Sequence, residues 1–163
     1  MAGQLDFKIV LVSPLRRAIQ SAYFIFKEHP HFAQIRFVLA PLARERLSGA
    51  GEIPLDLTDV LQEFNSLFPS GLDTSLFREW KGDINNWYLD GLDSKVQEQI
   101  MANSKTQAVS ATVYEIMQYT VTNRLQGVES MANVHGRFLR LSQQIKELTE
   151  GLKDGDKVAL VSH

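Results

Sequence analysis

The stretch from Phe7 to Phe26, FKIVLVSPLRRAIQSAYFIF, constrains the fold more than any other part of the chain. Residues 9–12 form a continuous apolar run rich in β-branched side chains. That is the pattern of a strand buried on both faces of a parallel sheet. Ser13 then offers an N-cap hydroxyl, and Pro14 stands at the expected first helical position, where a missing N–H costs nothing. Leu15, Ala18, Ile19, Ala22 and Tyr23 follow at helical spacing and make one apolar face. The helix is expected to end near Lys27, because His29-Pro30-His31 disfavours its continuation. The unit reads as strand, tight turn, helix.

Arg16 and Arg17 lie in the first turn of that helix, where the dipole is positive and backbone N–H groups point outward. A cation there is unfavourable by roughly 0.3–1 kcal/mol. Two adjacent ones point to an anion opposite, since the same helix end is a natural phosphate site. The alternative is a pair of solvated surface arginines, and both readings stay open on this stretch alone.

A second buried-strand run, VALV at 158–161, leads into Ser162-His163 at the end of the sequence. Ser-Pro-Leu-Arg-Arg-Ala-Ile-Gln-Ser-Ala at 13–22, taken with this Val-Ser-His, resembles the histidine phosphatase superfamily, the phosphoglycerate-mutase-like proteins. Ser21 replaces the threonine usual in the family's block. Arg17 matches the arginine before the alanine, and His163 matches the second active-site histidine. The resemblance implies an α/β fold, three-layer αβα with a mostly parallel sheet.

The rest of the chain suits one domain. Its 163 residues, 44% hydrophobic and 22% charged, fit a single core. A formal charge of −2 argues against a general nucleic-acid binder and a polybasic membrane anchor, so any anion site must be local. No apolar run approaches the roughly 18 residues of a membrane span, and the beginning of the sequence has no basic region of a leader. A cytoplasmic address is the expectation. Cysteine is absent, which excludes disulfides and thiolate chemistry from these residues.

Residues 35–39 (IRFVL) predict the next strand, closed by Pro41. Leu42-Ala43-Arg44-Glu45-Arg46-Leu47 follows and leads into a Gly-rich turn. Taken alone, Glu45 between two arginines is a self-neutralising loop cluster. Residues 56–68 predict an amphipathic helix with Val60, Leu61, Phe64, Leu67 and Phe68 inward. Phe77, Trp80, Trp87 and Tyr88 fall in an irregular segment, where packing beneath a long loop and lining a pocket are the two uses for them. Residues 94–126 predict helix with Val109, Val113, Ile116 and Met117 as a stripe. A further helix is expected over 129–148, carrying Val134, Phe138, Leu141, Ile145 and Leu148 inward. Residues 48–127 read as a cap insertion in a single domain spanning 1–163.

What the resemblance implies for chemistry is phosphoryl transfer through a phosphohistidine, on a phosphorylated small molecule or phosphoprotein, with no cofactor and no metal. Arg17 and His163 would hold the phosphate, with Ser13, Arg16 and Arg44 around it, and Glu45 would protonate the leaving alcohol. The family's nucleophile stands in an Arg-His-Gly block at a strand end, and no Arg-His-Gly occurs here. His135-Gly136 is the nearest look-alike, but it follows Val134 inside a helical pattern and reads as structural. The expectation is therefore a chain lacking the nucleophile strand and inactive alone, either a fragment or a pseudophosphatase serving as a phosphate-binding or protein-interaction module. An unrelated α/β protein binding a nucleotide phosphate at 13–17 is a third reading, weakened by the lack of a Gly-rich loop. The arrangement makes a geometric demand. Val12 and Val161 should end parallel strands at one edge of a sheet. Arg17 and His163 should converge there, with Glu45 standing farther off.

Overall fold

A computed structural model describes residues 5–47, 54, 56–80, 84–90, 92, 94–95, 97–98 and 129–162. Strand β1 (Phe7–Val12) runs into helix α1 (Arg16–Phe26), and β2 (Arg36–Leu39) follows. Helix α2 (Leu57–Phe64) precedes the two-residue strand β3 (Leu72–Asp73). Helix α3 (Met131–Thr149) then leads to β4 (Lys157–Val161). The sheet has the order β3-β2-β1-β4 and every pairing is parallel. Val10 stands beside Phe37 on one flank and Ala159 on the other. Val12 is likewise flanked by Leu39 and Val161, so three strands end level.

β1 is sandwiched between its neighbours and buried on both faces, which is why its apolar run does not alternate. Val10 and Val12 turn toward α1 and α2, in a cluster with Ile19, Ala22, Phe26, Phe37 and Phe64. Ile9 and Leu11 turn the other way, toward Leu141, Ile145 and Leu148 of α3. Helices thus cover both faces of a parallel sheet, an α/β fold. Among the described residues no helix is long and apolar enough to cross a membrane.

Several local expectations need correction. Ser13 does not cap α1. Its N–H still extends the sheet ladder, donating to the Val161 carbonyl at 2.9 Å, and the helix begins at Arg16 with Leu15 as a cap residue lacking any side-chain bond. Phe138 is not inward: it is 46% exposed, because Arg137 takes the inward position on that turn of α3 and is 1% exposed. The predicted 56–68 helix is α2 plus a tighter turn at Asn65–Leu67. Three residues per turn shift the phase there, so Phe68 is buried while Leu67 faces out. Phe77, Trp87 and Tyr88 are packed in the main core. The 94–126 stripe and most of the expected cap insertion lie outside the described residues.

Candidate functional site

The carboxyl ends of β1, β2 and β4 make one edge, and hydrogen bonds lock the segments leaving it. Beyond Ser13 N–H to Val161, Ala40 N–H donates to the Val12 carbonyl at 2.8 Å. The Ser162 hydroxyl donates to the Ala43 carbonyl at 2.6 Å. The turn after β2 is therefore tied to the end of β4. In open parallel sheets this edge is where ligands bind.

Arg17 and Glu45 meet here. An Arg17 Nη2 donates to Glu45 Oε2 at 2.5 Å, and both side chains remain more than a third exposed. Arg17 belongs to the first turn of α1, which carries no acidic residue and no side-chain cap. Glu45 was expected to border this edge at a distance, and it is instead in direct contact with the guanidinium. Ser13 lies at the end of β1, wholly buried, and among the described residues its hydroxyl has no hydrogen-bond partner. An unpartnered buried hydroxyl costs about 1–3 kcal/mol.

Two other candidate residues are placed elsewhere. Arg16 swings to α2, where it pairs with Glu63 at 2.5 Å and lies 5.9 Å from the centroid of the Phe64 ring. Arg44 is 3% exposed and points inward. Its guanidinium donates to both oxygens of Glu129, at 2.7 and 3.0 Å, and to the carbonyls of Glu45 and Asp90. An arginine so engaged has its donors committed to the protein, unlike one holding a phosphate at the surface. His163 lies outside the described residues. His135 lies in the second turn of α3 and is exposed, so it does not follow a strand as the family's nucleophile does.

The residues the sequence did not single out are Glu129 and Arg137. The Glu129 carboxylate is fully buried and lies between two arginines. Besides Arg44, it accepts from Arg137 Nε at 3.0 Å and Nη2 at 3.3 Å, and from the Leu47 N–H at 3.1 Å. Arg137 Nη1 reaches the carbonyls of Leu42 and Arg44, each at 2.7 Å. The loop 42–47 is thus held before Glu45 by Arg137 of α3 and after it by Glu129, just ahead of that helix, which fixes where the Glu45 carboxylate stands. Burial would raise the Glu129 carboxyl's affinity for a proton, but the Arg44 and Arg137 contacts outweigh it and hold its pKa below the ordinary value. Burial, aided by repulsion from Arg137, pushes Arg44 below its usual value despite Glu129. A signal was present in the sequence: Arg137 falls four residues before Leu141, on the face that has to be apolar.

The arrangement offers a guanidinium for an oxyanion, a carboxyl group within reach of it and a buried hydroxyl without a partner among the described residues. Among the described residues no group of three or more His, Asp or Glu side chains could hold a metal ion. Comparison with family models, with curated proteins and with solved structures finds no match for the chain, so its reading rests on these residues themselves.

Proposed function

We propose that the chain binds a phosphate monoester at this edge in the manner of the histidine phosphatases, with a phosphoglycerate-mutase-like arrangement of the sheet. The observation that carries the reading is the Arg17–Glu45 pair at the carboxyl edge of a parallel sheet, on the first turn of a helix. Arg17 supplies charge-assisted hydrogen bonds to phosphate oxygens, and the α1 N-terminus adds its dipole. Ser13, buried beside that turn, supplies one more group able to bond an anion. Glu45, in contact with Arg17, is our candidate proton donor to the ester oxygen, help worth about 10²–10⁴-fold in rate. His163 is proposed as the second phosphate ligand on its sequence match alone. Transfer itself needs a nucleophile, and the 163 residues contain no Arg-His-Gly. A second reading, a phosphate-binding module without catalysis, is favoured by that same gap.

The chain is expected to bind inorganic phosphate without hydrolysing an aryl phosphate. Calorimetric titration of the native protein and of Arg17→Ala, alongside a phosphatase assay and phosphohistidine trapping, tests both halves. Loss of one charged hydrogen-bonding group should weaken binding by about ten- to a hundredfold. Equal affinities would remove Arg17 from the site. Turnover that depends on Arg17 would mean the nucleophile is in this chain, and His135 would be the residue to examine.

A further inference from the structure

We propose that Glu45 is an internal occupant of the anion site, and that an arriving phosphate or sulfate group displaces it from Arg17 and leaves it protonated. The inference rests on the phosphate site proposed above and says how that site is loaded. A guanidinium presents a planar fork of donors that a carboxylate and a phosphate both match, so the two compete for one face. In the structure Glu45 Oε2 occupies one position on that fork, accepting from Arg17 Nη2 at 2.5 Å. A dianion entering beside it takes over the guanidinium and adds like charge at close range. Both changes favour the neutral form of a carboxyl group.

The step balances simply. Glu45 Oε gives up its bond to Arg17 Nη2, takes one proton from solvent, and the anion's oxygens accept from the guanidinium. Ligand entry thereby converts Glu45 from a base, paired to arginine, into the protonated acid that ester cleavage requires. The site would not need an acid poised in advance.

The charged groups around Glu45 leave it this role. Arg17 faces it from α1, while Arg16 on the same turn is paired with Glu63. On its own loop, Arg44 is buried on Glu129, and Arg46 Nε donates to the Glu129 carbonyl at 2.9 Å. His163 follows Ser162 in sequence, so the proton has to be assigned through a variant of Glu45 itself.

Sulfate is the probe, because it stays a dianion and carries no proton of its own at mildly acidic pH. Titration in two buffers of different ionisation enthalpy reads both affinity and proton uptake. The native chain should take up a proton fraction on binding sulfate. Glu45→Gln and Glu45→Ala should bind it about two- to fivefold more tightly, a modest gain because the lost pair is partly exposed. In both variants the uptake should fall. Unchanged affinity and unchanged uptake in the variants, with native binding intact, would overturn the displacement and leave the phosphate site standing. Absence of sulfate binding in the native chain and in Arg17→Ala alike would overturn the site itself.

Discussion

Replacing Glu129 with alanine is expected to cost about 3–5 kcal/mol of folding stability, the range for breaking a buried ion pair by removing one partner. The carboxylate is fully buried and accepts from two guanidinium groups and one backbone N–H. Without it, Arg44 and Arg137, 3% and 1% exposed, would face each other as like charges with nothing between them. The loss is large beside the roughly 5–15 kcal/mol that separates a folded domain from its unfolded chain. Urea unfolding followed by circular dichroism should show a lower midpoint with little change in slope. Arg137→Met is the informative partner. It leaves one arginine to one glutamate, and its cost comes from the orphaned carbonyls of Leu42 and Arg44 rather than from an unpaired charge. It should therefore be the milder change. If it is as damaging as Glu129→Ala, the loop is held by those carbonyl bonds and not by charge.

The same triad predicts the direction of acid sensitivity. The folded-state value for Glu129 lies below its ordinary one, so the folded protein favours the ionised form more than the unfolded chain does. The resulting stabilisation is present above the ordinary glutamate value of about 4.3. It is lost as pH falls through the lower, folded-state value. Melting temperature measured downward from neutral pH should drop over that window. Glu129→Gln, less stable at neutral pH, should show a flatter decline. Parallel curves for the two proteins would assign the acid sensitivity to other carboxylates.

How much of this could be read from the residues depended on how local its cause was. β1 and α1 were legible because a doubly buried strand must be apolar at every position and an amphipathic helix must repeat at 3.6. The parallel relation of Val12 and Val161 was demanded by a ligand site beyond the carboxyl ends of their strands, and it is present. Cap and phase errors had non-local causes. Ser13 looked like a cap, but its N–H is claimed by Val161, nearly the whole chain away in sequence. Phe138 fitted the apolar stripe better than Arg137, and only the approach of Glu129 and the loop after β2 makes the arginine the inward residue. At the candidate site, Arg17 and Glu45 were visible as residue types in suggestive places. Their direct contact was not, because it depends on a loop positioned from α3. The two-residue β3 has too few side chains for any period to show.

Phe37→Ala is expected to remove about 3–5 kcal/mol of stability, as truncation of a buried aromatic does. Phe37 is 1% exposed at the centre of β2. Its ring meets Phe68 at 4.7 Å between centroids, Phe32 at 5.5 Å and Phe26 at 5.9 Å. Those three rings come from three different segments, so one truncation loosens the end of α1, the turn before β2 and the segment after α2 together. Part of the cost is transfer of the ring and part is the cavity it leaves, because aromatic neighbours fixed at both ends cannot close over the gap. Phe37→Leu fills most of that space and should cost distinctly less. The cluster gathers around Phe26, at the far end of α1 from Arg17, and the loop bearing Glu45 is anchored separately by Glu129. The remaining folded molecules should therefore bind sulfate as the native chain does, once affinity is corrected for the folded fraction. A destabilised Phe37→Ala protein that also loses sulfate affinity per folded molecule would show that α1 shifts as a whole, and that the core packing, not the loop tether alone, sets the distance between Arg17 and Glu45.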